Sequence, residues 1–112
     1  MSEPQPGRQL SIYVSTGDQW HGAPLYTAIV QEARKQGLAG ATVLRGIMGY
    51  GAQGVIHEPH ALHPTGGLPV LIEIVDSEER IKAFMPTLGA MIAKGLVTIT
   101  ETEVLIHRRS ER

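Results

Sequence analysis

No cysteine occurs in this chain, which excludes disulfides, thiolate metal sites and cysteine nucleophiles together. Aromatic side chains are scarce, with one Trp and one Phe, so a core must be built from Ile, Leu, Val, Ala and Met. Charge of either sign is not in excess: ten Lys and Arg face eleven Asp and Glu, for a net charge of −1. No global basic field therefore points to nucleic acid or to an acidic membrane surface. No apolar run approaches the ~20 residues of a membrane span. The polar start, MSEPQPGRQ, lacks the apolar region of a signal peptide. A cytoplasmic protein is expected.

What is present suffices for one domain. Hydrophobic residues make up 42% of 112 residues, and a chain of that size buries roughly two-thirds of its unfolded surface. Residues 1–9 carry two prolines and no periodicity and are expected to be a disordered tail. Residues 10–107 form the expected domain, and residues 108–112 a charged tail. Leu10 to Val14 alternates apolar and polar, as a half-buried strand does. Pro24 suits the first turn of a helix in which Leu25, Ala28, Ile29 and Ala33 recur at helical spacing, and Gly37 is placed to end it. Leu68 to Val75 is the strongest strand pattern. Asp76 with Glu79 three residues later reads as a capping box, opening a helix that runs toward Gly95 and that Pro86 should kink. Leu96 to Ile106 alternates again, as one or two strands. The order β-α-β-β-α-β predicts a ferredoxin-like α+β fold, an antiparallel sheet with two helices on one face. Its other face presents Leu71 and Val75, an apolar surface that two helices cannot cover. A copy of the same chain is the usual cover.

The centre of the sequence is GATVLRGIMGYGAQG, residues 40–54. Val43, Leu44, Ile47 and Met48 are apolar on both parities, which predicts a strand covered on both faces. It empties into a loop with Gly46, Gly49, Gly51 and Gly54. Backbone amides not used by a sheet are natural anion ligands, and glycine admits a phosphate closely. Residues 49–54 match G-x-G-x-x-G, but a dinucleotide-binding fingerprint needs a helix next, and a proline-bearing loop follows instead. Arg45, Gly46, Gly49, Gly51, Gln53 and Gly54 are the candidate anion-binding residues. Arg45 allows two readings: a structural pair with Glu73 on the neighbouring strand, or a cation facing a cleft between subunits. Val55 to Gly67 reads as a projecting, mobile loop because Pro59 and Pro64 forbid a long regular element. Its His57, His60 and His63 are candidate ligands for a divalent metal, beside the plainer reading of exposed loop histidines. Ser15, Asp18 and His21 lie close in sequence, but nothing pairs a nucleophile with an oriented base, so no enzyme is expected.

The segments HGAPLY (21–26), GLAGATVLRGIMGYG (37–51), VIH (55–57) and LPVLIEIVDSEERI (68–81) together resemble the domain of unknown function 190 family, over Leu10 to Ile106. That family is similar in turn to the PII signalling superfamily. The resemblance implies a homotrimer that binds adenine nucleotides in clefts between subunits. It also implies a long loop between the second and third strands, here Val55 to Gly67, that grips a membrane transporter or an enzyme. PII chains carry a glycine- and lysine-rich phosphate loop before the last strand, where this chain has only Lys94 and Gly95, while Arg108 and Arg109 fall near the place of the PII C-terminal arginines. CutA copper-tolerance proteins share the architecture, and that likeness implies a metal-binding trimer as the alternative.

Overall fold

The structure, a computed structural model, describes residues 3–51 and 67–108. In chain order the elements are β1 (Gln5–Ser15), β2 (Gln19–Trp20), β3 (Ala23–Pro24), α1 (Leu25–Lys35), β4 (Thr42–Arg45), β5 (Pro69–Asp76), α2 (Glu78–Met91) and β6 (Leu96–Val104). The main sheet has the order β4-β5-β1-β6, antiparallel throughout, and β2 with β3 forms a separate small ribbon. This is the expected ferredoxin-like α+β arrangement, with the two helices on one face.

Strand register divides the sheet into two unlike faces. Leu10, Ile12 and Val14 of β1 lie opposite Ile74, Ile72 and Val70 of β5, and all six are buried. Leu25, Ala28, Ile29 and Ala33 of α1 and Ile81, Phe84, Leu88 and Met91 of α2 complete that core. Burying each large side chain stabilises the fold by about 1.5–3 kcal/mol before entropy is counted. The opposite face carries Tyr13, Leu44, Leu71, Val75 and Leu96, and no described helix covers it.

Helix α1 ends as expected. Gly37 has φ +81°, its N–H donates to Arg34 O, and Leu38 N–H donates to Ala33 O, a Schellman closure. The start of α2 lies one residue later than expected. Ser77 is its cap and accepts from Arg80 N–H at 3.3 Å. Asp76 instead ends β5, where its carboxylate accepts from Ser77 N–H at 2.7 Å and from Ala39 N–H at 2.9 Å, tying down the connection from α1 to β4. Pro86 sits on the exposed side of α2, which continues through it to Met91.

Two other expectations are corrected. Residues 5–9 are not a tail, because β1 begins at Gln5 and pairs with β6 along its whole start. Pro6 is tolerated there because β5 joins β1 only from Arg8 onward, leaving Pro6 on a ribbon bonded from one side. Strand β4 is not covered on both faces: all four of its residues are exposed. It is the short edge strand of the sheet, and the core of both helices stops at β5.

Candidate functional site

Strand β4 delivers Arg45 to the edge of the sheet, where the glycine loop begins. Arg45 lies opposite Val70, and Thr42 lies opposite Glu73. The structural pair of Arg45 with Glu73 is therefore not formed. Glu73 instead accepts from the Gln9 side-chain amide at 2.9 Å, while the Arg45 side chain is exposed and makes no ion pair with a described residue.

The glycines that follow do not all do the same job. Gly46 N–H donates to Pro69 O at 2.7 Å, so this amide anchors the loop and is not free for an anion. A Cβ on Gly46 would lie 2.8 Å from Pro69 Cγ, and one on Gly49 would lie 3.2 Å from the same atom. Gly46 is thus demanded by packing against a proline ring, and Gly49 sits close against the same ring. A Cβ on Gly51 would meet no described residue within 4 Å. Between them Ile47, Met48 and Tyr50 stand outward, with Ile47 84% and Tyr50 74% exposed. Gln53, Gly54, His57, His60 and His63 lie outside the described residues, as does the expected loop up to residue 66.

The returning stem is held by the end of β1. Gly67 has φ +76°, and a Cβ there would lie 2.8 Å from Gly17 N. Thr16 N–H donates to Leu68 O and Leu68 N–H donates to Thr16 Oγ1, both at 2.9 Å. One residue further, Asp18 accepts from Ser15 N–H at 2.9 Å and meets Lys94 Nζ at 3.6 Å. Lys94, from the junction of α2 and β6, thereby reaches the same end of the sheet as the loop stem. Ser15 and Asp18 are occupied in shaping this turn and orient no base.

The ribbon of β2 and β3 has no counterpart in the sequence reading. It turns on His21 and Gly22, with φ of 49° and 83°, and the Trp20 and His21 rings stack at 4.2 Å. A residue followed by Gly between short strands is the signal that marks such a turn, but two-residue strands are too short to show periodicity.

Among the described residues two concavities lie elsewhere. One of about 540 Å³ is lined by Pro4, Pro6, Arg8, Glu78, Glu101, Thr102 and Glu103. The second, about 380 Å³, lies between the start of β1 and the segment after β6 and includes Arg108, which is exposed; Arg109 is outside the described residues. Neither includes a residue of the glycine loop. Among the described residues no three His, Asp or Glu gather as a metal site, and no described helix is long and apolar enough to cross a membrane.

The model of the DUF190 family, described as "Uncharacterized ACR", matches residues 7–104. The chain belongs to the DUF190 family. A UPF0166 protein of Methanocaldococcus jannaschii is 41% identical over 96 residues, 85% of this chain and 88% of that protein. Among solved structures, CPII from Thiomonas intermedia, a nitrogen regulatory PII-like protein bound to ADP, AMP and bicarbonate, superposes with a TM-score of 0.62 at 20% identity, covering 91% of each chain. The divalent ion tolerance protein CutA1 of Ehrlichia chaffeensis gives a TM-score of 0.57 at 12% identity, covering 91% of this chain and 84% of its own. These likenesses place this DUF190 chain in the PII-like and CutA-like fold. Its glycine loop and β5 lie inside the family match.

Proposed function

We propose that this DUF190 protein is a PII-like regulator that assembles as a homotrimer and binds an anionic small molecule, an adenine nucleotide, in clefts between its subunits. The observation that carries this reading is the placement of Arg45. It is an exposed cation on an edge strand, next to the glycine loop and with no described residue to pair with. Among the described residues neither concavity includes the glycine loop, and a neighbouring subunit is the proposed source of the remaining walls of a ligand site there. The open sheet face, with Tyr13, Leu44, Val75 and Leu96 exposed, supplies a surface through which such a neighbour can pack. The PII-like fold, and the ADP and AMP bound by CPII, support adenine nucleotides as the class to try first. The loop that leaves the glycine stretch is the proposed contact for a regulated transporter or enzyme.

A thermal-shift series decides this. ADP, ATP and AMP should raise the melting temperature without added metal, and inorganic phosphate should do so weakly. Stabilisation by a divalent metal that vanishes with chelator, with no nucleotide response, would favour the CutA-like alternative through His57, His60 and His63.

A further inference from the structure

The open sheet face holds a single carboxylate and, among the described residues, no cation. Register fixes this. Arg8, Arg45, Glu101 and Glu103 all have the parity of the helix-covered face, as do Leu10, Ile72 and Val43. Glu73 has the other parity. Directly beside it stand Ser11 on β1 and Thr42 on β4, and Gln9 is diagonal to it. The outer strand β6 shows Thr98 and Thr100 on this side. Tyr13 is the one other titratable group on the open face among the described residues. Glu73 is half-buried already, and its partner is the neutral Gln9 amide at 2.9 Å.

We propose that second copies of this chain cover the open face and that Glu73 makes their association pH-dependent, tighter as the carboxylate becomes protonated. This rests on the assembly reading above. The flat sheet alone is smaller than a stable interface takes, so side-chain corrugation and the exposed Leu105 and Ile106 after β6 add to it. Four strands at ~4.8 Å spacing, with about eight residues each at ~3.3 Å rise, span on the order of 500 Å² before corrugation. A stable interface takes ~800 Å² per partner. The chemistry also fits another copy better than a foreign basic surface. Hydroxyl rows on β6 and apolar corners at Tyr13, Leu44 and Leu96 meet their own kind without charge conflict. Glu73 is the one group that resists. Covering an ionised carboxylate with neutral donors alone is costly, and a protonated carboxyl that both donates and accepts is not. Association therefore takes up protons and strengthens as pH falls.

The test is the dissociation constant of the assembly by analytical ultracentrifugation between pH 8 and pH 5, on the full chain. The parent should tighten by about tenfold or more over that range. Glu73→Gln should associate at pH 8 as tightly as the parent does at pH 5, with little change across the range. Glu73→Thr, a strand-favouring neutral residue, guards against a folding defect in the first variant and should behave alike. Glu78→Gln, on α2 and away from this face, should keep the parental profile. A parent that is monomeric at every pH overturns the assembly reading itself. A parent that assembles with no pH dependence, or with the same dependence after Glu73→Gln, overturns the role of Glu73 alone.

Discussion

Arg45 and Glu73 lie on opposite faces of the sheet. Arg45 is level with Val70 on the helix side, and Glu73 is level with Thr42 on the open side. Each is therefore free of the other, and removing one does not strand the other. This separates ligand effects from stability effects more cleanly than a paired arrangement would.

The first prediction follows directly. Arg45→Ala should leave the folding stability within about 0.5 kcal/mol, as for an exposed side chain without special contacts. It should weaken ADP binding by about tenfold to a hundredfold, the worth of one charge-assisted hydrogen bond at ~1.5–3 kcal/mol. Calorimetric titration and chemical denaturation on the same preparation check both parts. A large stability loss with unchanged ADP affinity would return Arg45 to a structural role.

Adjacent residues of β5 give the second prediction. Ile72 is fully buried against the helices, while Leu71 points to the open face. Ile72→Asp should unfold the protein, since an unpaired buried charge costs about 3–5 kcal/mol. Leu71→Asp should retain the far-ultraviolet circular dichroism of the parent and lose assembly in light scattering. Two neighbouring substitutions with opposite outcomes would establish which face is the interface. Unfolding by both, or assembly by Leu71→Asp, would contradict it.

Much of this fold was legible because its signals are local. The alternation of Leu10, Ile12 and Val14, the run of β5, and Gly37 after α1 each follow from a few neighbouring residues. The misreadings have physical reasons too. Pro4 and Pro6, with no periodicity around them, read as a tail, yet the neighbouring Gly7 is buried, and a Cβ there would come within 3.1 Å of Asp76 O. Asp76 and Ser77 are both good cap residues, and the difference of one position is set by the sheet, which uses Asp76 as its last partner for Arg8. Whether Arg45 met Glu73 depended on register, which no local pattern of β4 encodes. The candidate site was legible only in part. Glycine content marked the loop, but that Gly46 and Gly49 lie against Pro69 and Gly51 does not is a tertiary fact.

That division among the glycines makes a third prediction. Gly67→Ala would push a Cβ toward the Gly17 backbone at a φ of +76°, and should cost about 1–3 kcal/mol. Gly46→Ala should cost about 1–2 kcal/mol through the Pro69 ring, with the edge strand shifting to relieve it. Gly51→Ala should be nearly neutral for folding, because no described residue lies within 4 Å of a Cβ there. If the loop amides hold a phosphate, Gly51→Val should still weaken ADP binding by blocking close approach. Equal destabilisation by all three alanines in urea denaturation would refute the division.

The last prediction concerns acid. Glu78, in the first turn of α2, is held below the usual carboxylate range first by its hydrogen bond with Lys82, then by the charges of Arg8 and Lys82. The ion pairs measure 3.0 Å to Lys82 and 3.4 Å to Arg8. A carboxylate lowered in the folded state contributes stability that is complete above the unfolded value. That contribution is lost as pH falls through the folded value. Glu78 is exposed, so solvent and salt screen the effect, and it should be small. Glu78→Gln should lower the melting temperature slightly at neutral pH, where the parent's carboxylate is ionised, and parent and variant should converge as pH falls below the ordinary glutamate range. Because Arg8 also reaches Glu101, at 3.6 Å, it keeps a partner in that variant. Raising the salt concentration should diminish the difference between parent and variant. A difference that persists undiminished in acid would mean that Glu78 acts through its place in the first turn of α2 and not through its charge.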